Sequence, residues 1–180
     1  MKVIDTAIAD VKIIEPRVFG DERGFFLESW NARALAEAGI DAAFVQDNHS
    51  HSLQGVLRGL HYQILHPQGK LVRAVSGEVF DVAVDLRRSS SSFGHWVGAR
   101  LSAENRRMMW IPPGFAHGFL VLSATADFLY KTTDYYHPAH ERTLLWNDRS
   151  VNVQWPWSGE PLLAAKDARG ASFATAEVYA

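Results

Sequence analysis

The sequence predicts an all-β fold, an antiparallel sandwich or barrel that carries one or a few short helices. Many short stretches rich in Val, Phe, Tyr and Trp alternate with clusters of Gly, Pro, Ser and Asn, a pattern typical of strands joined by turns. Only residues 31–39 have the composition of a helix, because Asn31 can cap its start and Gly39 can end it. So many strands with so little helix favour two packed sheets, and the jelly roll is one of the forms they take.

The predicted strands run through most of the chain. They cover residues 11–19, 24–30, 44–50, 56–63, 70–75, 78–86, 96–101, 108–111, 117–122, 127–133 and 143–146. Ser76 and Gly77 separate two of them, which predicts a tight hairpin. Apolar and polar side chains alternate in its second strand, so we expect one buried and one exposed face there. The tail after Lys166 is small and polar in places, and we expect it to be poorly ordered or packed on a partner.

The composition fits a single globular domain spanning residues 1–180 and excludes several classes of protein. Hydrophobic residues make up 47% and charged residues 21%, both ordinary values, and the formal net charge of -2 argues against a general nucleic-acid or membrane-surface binder. The absence of cysteine excludes disulfides, thiolate metal sites and a Cys nucleophile. Residues 1–14 lack the apolar stretch of a signal peptide, and no apolar run approaches the roughly 20 residues of a membrane-spanning helix. We therefore expect a soluble, cytoplasmic protein.

His61 and Lys70 are the first pair of residues with catalytic chemistry. His61 lies in one predicted strand and Lys70 begins the next, so both could share one concave face. A His is the natural general base near neutral pH, and a fixed ammonium stabilises an enolate oxygen as charge develops on it. A hydrogen-bonded core His and a solvated Lys are the structural alternative, which these two residues alone favour slightly.

Two further strand residues have both a functional and a structural interpretation. His117 follows a Pro-Pro-Gly turn and shares a strand face with Phe119, so it is either an inward-facing ligand-binding His or an edge residue of a structural turn. Tyr130 could act as a general acid from across a pocket, although a strand Tyr taken alone usually serves packing.

The segment 44–51 carries polar residues on both of its faces. Gln46, Asn48 and Ser50 point one way, either as a row that recognises a ligand or as a wet outer face, and the outer face is the more common case. His49 and His51 form a His-x-His pair that could begin a metal site, but the neighbouring strands supply no convincing third ligand.

Taken together, these segments closely resemble the dTDP-4-dehydrorhamnose 3,5-epimerase family. The matching segments are residues 21–28, 44–50, 56–63 (Val-Leu-Arg-Gly-Leu-His-Tyr-Gln), 68–73, 81–87, 112–119, 146–148 and 166–167. They follow the family order along nearly the whole chain, which makes the resemblance highly specific. It implies a cupin-type jelly roll without a cofactor or a catalytic metal. The implied reaction inverts C3 and C5 of dTDP-4-dehydro-6-deoxy-D-glucose to give dTDP-4-dehydro-L-rhamnose.

The resemblance also implies a role for each matching residue. His61 corresponds to the base, Asp167 to its orienting carboxylate, Lys70 to the group that faces the C4 oxygen, and Tyr130 to the acid that returns a proton from the opposite face. The implied substrate-binding positions are Arg23, Glu28, Gln46, Asn48, Arg58, Lys70, His117, Glu141 and Lys166.

The likeness further implies a homodimer with shared sites, since an arm of one subunit commonly completes its neighbour's site in this family. On that basis Arg23 and Glu28 act across the interface. Arg23 and Arg58 are expected to contact the diphosphate, because the planar guanidinium fork suits phosphate oxygens. Glu28 and Gln46 are expected to meet the thymine or the deoxyribose.

One feature of the sequence conflicts with a regular strand. Arg58 and His61 are three residues apart, so strict alternation would point them to opposite faces of the sheet. Both can reach one ligand only if a bulge near Gly59 shifts the register or if Arg58 works from the rim of the pocket. We predict one of these two arrangements.

Three rival functions remain compatible with the residues. The first is a relative that inverts only C3 or only C5, or that isomerises a 4-keto sugar. The second is a metal-dependent cupin that uses His49, His51 or His117, and the third is a sugar-nucleotide-binding module without catalysis. The full set of predicted catalytic residues favours double inversion over the first and the third, and the lack of a convincing third metal ligand argues against the second.

Overall fold

The computed structural model describes residues 1–180 and contains fourteen strands and two short helices. The strands are β1 (Lys2–Asp5), β2 (Lys12–Glu15), β3 (Val18–Asp21), β4 (Gly24–Leu27), β5 (Gln46–Leu53), β6 (Val56–Gln63), β7 (Lys70–Ser76), β8 (Glu78–Asp85), β9 (Trp96–Ser102), β10 (Met108–Ile111), β11 (Phe115–Val121), β12 (Thr125–Thr132), β13 (Glu141–Thr143) and β14 (Leu162–Leu163). The helices are α1 (Ala32–Glu37) and α2 (Ala165–Ala168), and Pro138–His140 form a single 3-10 turn. Neither helix is long or apolar enough to cross a membrane.

Two sheets face each other across the main core. The first has the order β1-β2-β10-β7-β12-β5, and the second has the order β13-β6-β11-β8-β9, with β14 added in parallel to β6. Buried side chains from both sheets meet between them, and the rings of Phe119 and Phe128 stack there with centroids 4.1 Å apart. This burial of apolar surface holds the two layers together. The predicted all-β jelly roll with short helices is confirmed.

The predicted tight hairpin at Ser76-Gly77 is wrong. β7 belongs to the first sheet and β8 to the second, so the chain turns a corner between layers instead of pairing with itself. Gly77 has a φ of 68°, and a Cβ on it would lie 2.0 Å from the carbonyl oxygen of Thr125. A glycine between two strands therefore marked a close backbone approach rather than a two-residue turn.

The expectation of one buried and one exposed face for β8 is also wrong, because both faces are covered. Asp81 and Ala83 face the space between the two sheets, while Val82 and Val84 pack against a second apolar cluster on the outside. The carboxy-terminal segment builds that outer layer. Tyr179 belongs to it, and its hydroxyl donates a hydrogen bond to the carbonyl oxygen of Gln63 at 2.6 Å. The tail thus packs on its own domain, contrary to our expectation.

The first predicted strand, residues 11–19, is split in the structure. Pro16 lacks an N–H and separates β2 from β3, which pairs only with β4 in a two-stranded arm apart from both main sheets. The predicted helix is confirmed: Asn31 Oδ1 accepts a hydrogen bond from the N–H of Ala34 at 3.1 Å and caps α1. The ends of the remaining predicted strands differ from the observed ones by at most three residues.

A bulge interrupts β6 where it pairs with β11. His61 lies opposite His117, but Arg58 lies opposite Phe119, so three steps along β6 match two along β11. Gly59 occupies this irregular position with a φ of 134°, which a residue with a Cβ rarely adopts. Of the two predicted arrangements, the bulge near Gly59 is the one found, and it lets Arg58 and His61 face the same pocket.

Candidate active site

A cavity of about 350 Å³ collects most of the predicted site residues. Its walls come from both main sheets and from α2. All four predicted catalytic residues line it, together with six of the predicted binding residues: His61, Lys70, Tyr130, Asp167, Gln46, Asn48, Arg58, His117, Glu141 and Lys166. Concave sites with converging polar groups of this size suit a small-molecule ligand.

His61 is held by a carboxylate that lies far away in sequence. Its Nε2 is 2.5 Å from Asp167 Oδ1, and only 2% of the Asp167 side chain is exposed. Asp167 reaches this position from α2, where its N–H bonds to the carbonyl oxygen of Ala164 at 3.0 Å. A buried carboxylate on one ring nitrogen fixes the orientation and tautomer of an imidazole. The other ring nitrogen of His61 is then available to accept a proton.

Lys70 places a cation next to this base. The residue begins β7 and is buried, and its Nζ lies 3.4 Å from the carbonyl oxygen of His61. Burial lowers the pKa of Lys70 to about 8, against an opposing effect of the Asp81 carboxylate. An ammonium in such surroundings interacts strongly with negative charge that develops nearby.

His117 and Asp81 form a second buried pair, and Asp81 is not among the site residues predicted from the sequence. His117 Nε2 lies 2.9 Å from Asp81 Oδ2, and both side chains are almost fully covered. Burial raises the pKa of Asp81 and lowers the pKa of His117. No signal in the sequence marked Asp81, because its alternation with Phe80 and Val82 placed it on the face that was expected to be exposed.

Tyr130 enters the cavity from the other sheet. His61 lies on β6 of the second sheet and Tyr130 on β12 of the first, so the two side chains approach from facing layers. Burial raises the pKa of Tyr130. Its hydroxyl is therefore protonated at neutral pH, as a general acid requires.

Polar and basic residues surround the mouth. Gln46, Asn48 and Ser50 line the cavity, which decides between the two interpretations left open for this strand, and Gln46 Nε2 donates to Asn48 Oδ1 at 2.9 Å. Arg58 donates to Ser52 Oγ at 3.0 Å from its exposed position. Arg58 and Lys166 give the pocket two cations for an anionic ligand.

Gln63, Gln68 and Tyr136 are further polar residues of the cavity that were not predicted. The Tyr136 hydroxyl donates to Glu141 Oε2 at 3.2 Å. Gln63 could have been found, since it lies two residues from His61 on the same strand face. Gln68 and Tyr136 lie outside the strands, where alternation gives no signal.

Two predicted binding residues lie away from the cavity of their own chain. Arg23 sits in the turn of the β3–β4 arm, where it pairs with Asp21 and is 84% exposed. Glu28 is exposed just after β4. His49 and His51 also lie outside the cavity, on the opposite face of β5, and both bond to Asp127 Oδ1.

The chain matches the family model for dTDP-4-dehydrorhamnose 3,5-epimerase over residues 5–175. It belongs to this family. The dTDP-4-dehydrorhamnose 3,5-epimerase of Pseudomonas aeruginosa is 63% identical over 99% of both chains, and its counterpart in Mycobacterium tuberculosis is 38% identical over 96% of this chain and 88% of its own. The predicted family and the predicted enzyme class, an isomerase, are confirmed.

Solved structures of the epimerase family share the fold. The RmlC epimerase of Legionella pneumophila, determined in complex with dTDP-4-keto-L-rhamnose, is 54% identical, has a TM-score of 0.95, and is matched over 98% of this chain and 94% of its own. ChmJ of Streptomyces bikiniensis, a 3'-monoepimerase in complex with dTDP-quinovose, is 32% identical, has a TM-score of 0.89, and is matched over 95% of this chain and 87% of its own. The epimerase architecture therefore accommodates relatives that differ in which carbons they invert.

Proposed function

We propose that this epimerase converts dTDP-4-dehydro-6-deoxy-D-glucose to dTDP-4-dehydro-L-rhamnose by removing and returning protons at C3 and C5. The observation that carries the proposal is that His61 of one sheet pairs with the buried Asp167 of α2, while Tyr130 reaches the same cavity from the other sheet. A base and an acid on facing walls are the arrangement that inversion requires. The complex of the Legionella relative with dTDP-4-keto-L-rhamnose supports the substrate class.

The substrate supplies the acidity that the reaction needs. Both C3 and C5 flank the C4 ketone, so breaking a C–H bond places the electron pair on the C4 oxygen as an enolate. His61 takes the proton, and Asp167 stabilises the imidazolium that forms. The enolate collapses when Tyr130 delivers a proton to the opposite face of the same carbon. No electrons leave the substrate, and proton exchange with water returns both side chains to their starting states.

Lys70 stabilises the enolate. Its ammonium lies beside His61 in a buried setting, where a fixed charge is worth more than in water. The His117–Asp81 pair helps to keep Lys70 charged, because the Asp81 carboxylate raises the pKa of Lys70 and so opposes the effect of burial. Lowering the energy of the enolate makes the proton transfer to an imidazole feasible near neutral pH.

The nucleotide lies toward the basic and polar mouth. Arg58 contacts the diphosphate through its fork of N–H groups, and Lys166 adds a second charge beside Glu141, to which it bonds at 2.9 Å. Gln46 and Asn48 offer amides to the deoxyribose and the thymine. Glu28 meets the same part of the nucleotide.

The active form is a homodimer in which the β3–β4 arm reaches the neighbour's pocket with Arg23 and Glu28. The arm pairs with neither main sheet and exposes Phe25 and Phe26 to 58% and 68%. Apolar side chains displayed on a projecting arm favour burial against a second copy. Residues 1–180 form one domain that carries the rest of the site, and a chain without cysteine suits the cytoplasm.

Solvent exchange tests the proposal and separates it from single-centre epimerisation. The substrate is incubated with the enzyme in deuterated water, and the label at each carbon is measured by NMR. Deuterium at both C3 and C5 of the product is expected. Label at one carbon alone would instead assign the chain to the monoepimerases, of which ChmJ is an example. The His61→Asn variant is the control and should incorporate no label above the uncatalysed level.

A further inference from the structure

Three imidazoles and one carboxylate gather outside the active-site cavity. The rings of His66 and His137 stack with centroids 4.2 Å apart, and the His140 ring lies 5.7 Å from that of His66. The carboxylate is Asp134, whose Oδ2 is 3.5 Å from His66 Nδ1. One ligand atom from each of His66, Asp134 and His137 lies within 4.8 Å of the others. The proposed reaction uses none of these four side chains.

We propose that His66, Asp134 and His137 bind a divalent transition metal ion of the Zn²⁺ class, with His140 as the fourth ligand. Imidazole nitrogen and carboxylate oxygen are typical ligands of Zn²⁺ at about 2.0–2.2 Å, and a tetrahedron of such bonds separates neighbouring ligand atoms by about 3.3 Å. The 3.5 Å between His66 and Asp134 already fits that separation. The three ligand atoms lie within 4.8 Å of one another, so they need to close by at most about 1.5 Å, which rotation of the stacked His66 and His137 side chains can supply. A site rich in imidazole favours Zn²⁺, Ni²⁺ or Cu²⁺ over Mg²⁺ and Ca²⁺.

The proposed ligands lie on two loops, and the buried side-chain amide of Gln63 joins these loops. Gln63 Nε2 donates to the carbonyl oxygens of His66 at 2.7 Å and Tyr135 at 3.2 Å, and Gln63 Oε1 accepts from the N–H of His137 at 2.7 Å. Both histidines are thus fixed through their backbones, which leaves their ring nitrogens available to a metal. Fixing the ligands in advance lowers the entropy that binding would otherwise cost.

Hydrogen bonds to neighbouring groups also orient Asp134. Its Oδ1 accepts from the N–H of Tyr135 at 2.7 Å, and its carbonyl oxygen accepts from Gln68 Nε2 at 2.9 Å. The carboxylate therefore presents Oδ2 to the imidazoles. Hydrogen bonds of this kind to a ligating carboxylate are a usual part of metal sites.

The cluster lies directly behind one wall of the cavity. Gln63, Gln68 and Tyr136 line that wall and belong to the strand end and the loops that carry the ligands. A bound ion would tie the loop between β6 and β7 to the segment after β12. Its expected effect is on the rigidity of the wall and on heat stability, because ligands from separate loops cross-link the native state only.

The other exposed cluster of imidazoles differs in its geometry and serves as a matched control. His49 Nε2 and His51 Nδ1 both lie on a single oxygen, Asp127 Oδ1, at 2.9 and 3.2 Å. That oxygen already bridges the two rings at hydrogen-bond distance, which leaves no gap for an ion. Substitutions there remove the same number of imidazoles from the surface without touching the proposed site.

Titration with ZnCl₂ tests the site. The enzyme is treated with a chelator, desalted and titrated by calorimetry as the wild type, the His66→Gln/His137→Gln double variant and the His49→Gln/His51→Gln control. We expect one Zn²⁺ per chain in the wild type and the control. The first double variant should bind at least about tenfold more weakly, because loss of even an outer partner of a metal ligand costs about 10- to 100-fold in affinity. His140→Gln, a milder change, should weaken binding by about tenfold.

Two further readouts separate a built site from adventitious surface binding. Co²⁺ should give the intense visible absorption of tetrahedral coordination in the wild type and lose it in His66→Gln/His137→Gln. Zn²⁺ should raise the unfolding temperature of the wild type and of the His49→Gln/His51→Gln control, but not that of His66→Gln/His137→Gln. Unchanged dTDP binding in all variants shows that they are folded. Equal Zn²⁺ affinity in both double variants, loss of binding in the control instead, or no stoichiometric binding by the wild type would each overturn the proposal.

Discussion

Gly59 and Gly118 face each other across β6 and β11 so closely that neither can carry a side chain. A Cβ on Gly59 would lie 2.5 Å from the Cα of Gly118, and a Cβ on Gly118 would lie 2.6 Å from the carbonyl oxygen of Arg58. This contact lies at the bulge that turns Arg58 and His61 toward one cavity. The two glycines thus connect strand register to the composition of the site.

Gly118→Ala should both destabilise the fold and reduce activity. The methyl group would push β6 away from β11, and such overpacking costs about 1–3 kcal/mol. The free energy of unfolding in urea measures the first effect, and kcat/KM measures the second. Gly20→Ala is the control for stability, because a Cβ there meets its nearest atom at an ordinary 3.7 Å. A Gly118→Ala protein as stable as this control and as active as the wild type would contradict this account of the bulge.

Asp167→Asn should leave substrate binding intact and slow the chemistry. An amide cannot stabilise the imidazolium of His61, and it can hold the ring in the wrong tautomer. Loss of general-base function of this kind costs about 10²- to 10⁴-fold. Deuterium incorporation at C3 and C5 measures the loss, and calorimetric titration with dTDP checks the binding. Weaker dTDP binding with unchanged exchange would mean that Asp167 serves the nucleotide instead.

Local patterns in the sequence were sufficient to locate most of the strands. Alternation and turn residues located β6 and β10 to the residue. The spacing of Arg58 and His61 predicted either a bulge or a rim position for Arg58, and the structure contains the bulge. The hairpin at Gly77 failed for a physical reason. A glycine that permits a tight turn also permits a corner between sheets, and the partner of each strand is decided by contacts distant in sequence.

The site was harder to predict than the fold because its pairs join separate elements. Asp167 was assigned to His61 only through the family resemblance, since 106 residues separate them. Asp81 was not predicted as a site residue, because its partner His117 lies on another strand. Gln68 and Tyr136 come from loops, whose side-chain directions follow from tertiary packing rather than from any period in the sequence.

Tyr130→Phe should damage inversion more than proton exchange. Without the hydroxyl the enolate still forms, and the His61 imidazolium can return a proton to the original face. Label from deuterated water should therefore enter the unreacted substrate while product formation falls by about 10²-fold or more. NMR follows both in one sample. If exchange and inversion fell equally, Tyr130 would act in binding or positioning. Tyr136→Phe, which removes a neighbouring cavity hydroxyl, is the matched control.

The pH dependence of kcat/KM should fall off on the alkaline side through about pH 8. Burial lowers the pKa of Lys70 to about 8, so the side chain is charged below that pH and neutral above it. A neutral amine stabilises an enolate poorly, and kcat/KM reports the protonation of the free enzyme. Tyr130 does not contribute at this pH, because burial raises its pKa.

The Lys70→Met variant decides which group sets that alkaline limb. Methionine keeps most of the buried volume but carries no charge, so the variant should be slow and its profile should lack the fall near pH 8. Wild type and variant are compared over the same buffers with dTDP binding as the control for folding. An unchanged alkaline limb in Lys70→Met would assign it to another residue.

Arg23→Ala should raise KM by about tenfold or more with a small effect on kcat, because a hydrogen bond to a charged group contributes about 1.5–3 kcal/mol. Glu22→Ala in the same turn is the control. Whether Arg23 serves its own chain or its neighbour is decided by a mixed dimer of one Arg23→Ala chain and one His61→Asn chain, purified through two different tags. The activity is measured as kcat/KM at substrate concentrations well below KM. If the arm crosses the interface, one site of the mixed dimer holds both native residues, and about half of the wild-type kcat/KM returns. If the arm serves its own chain, both sites stay defective and kcat/KM stays at or below that of the Arg23→Ala homodimer.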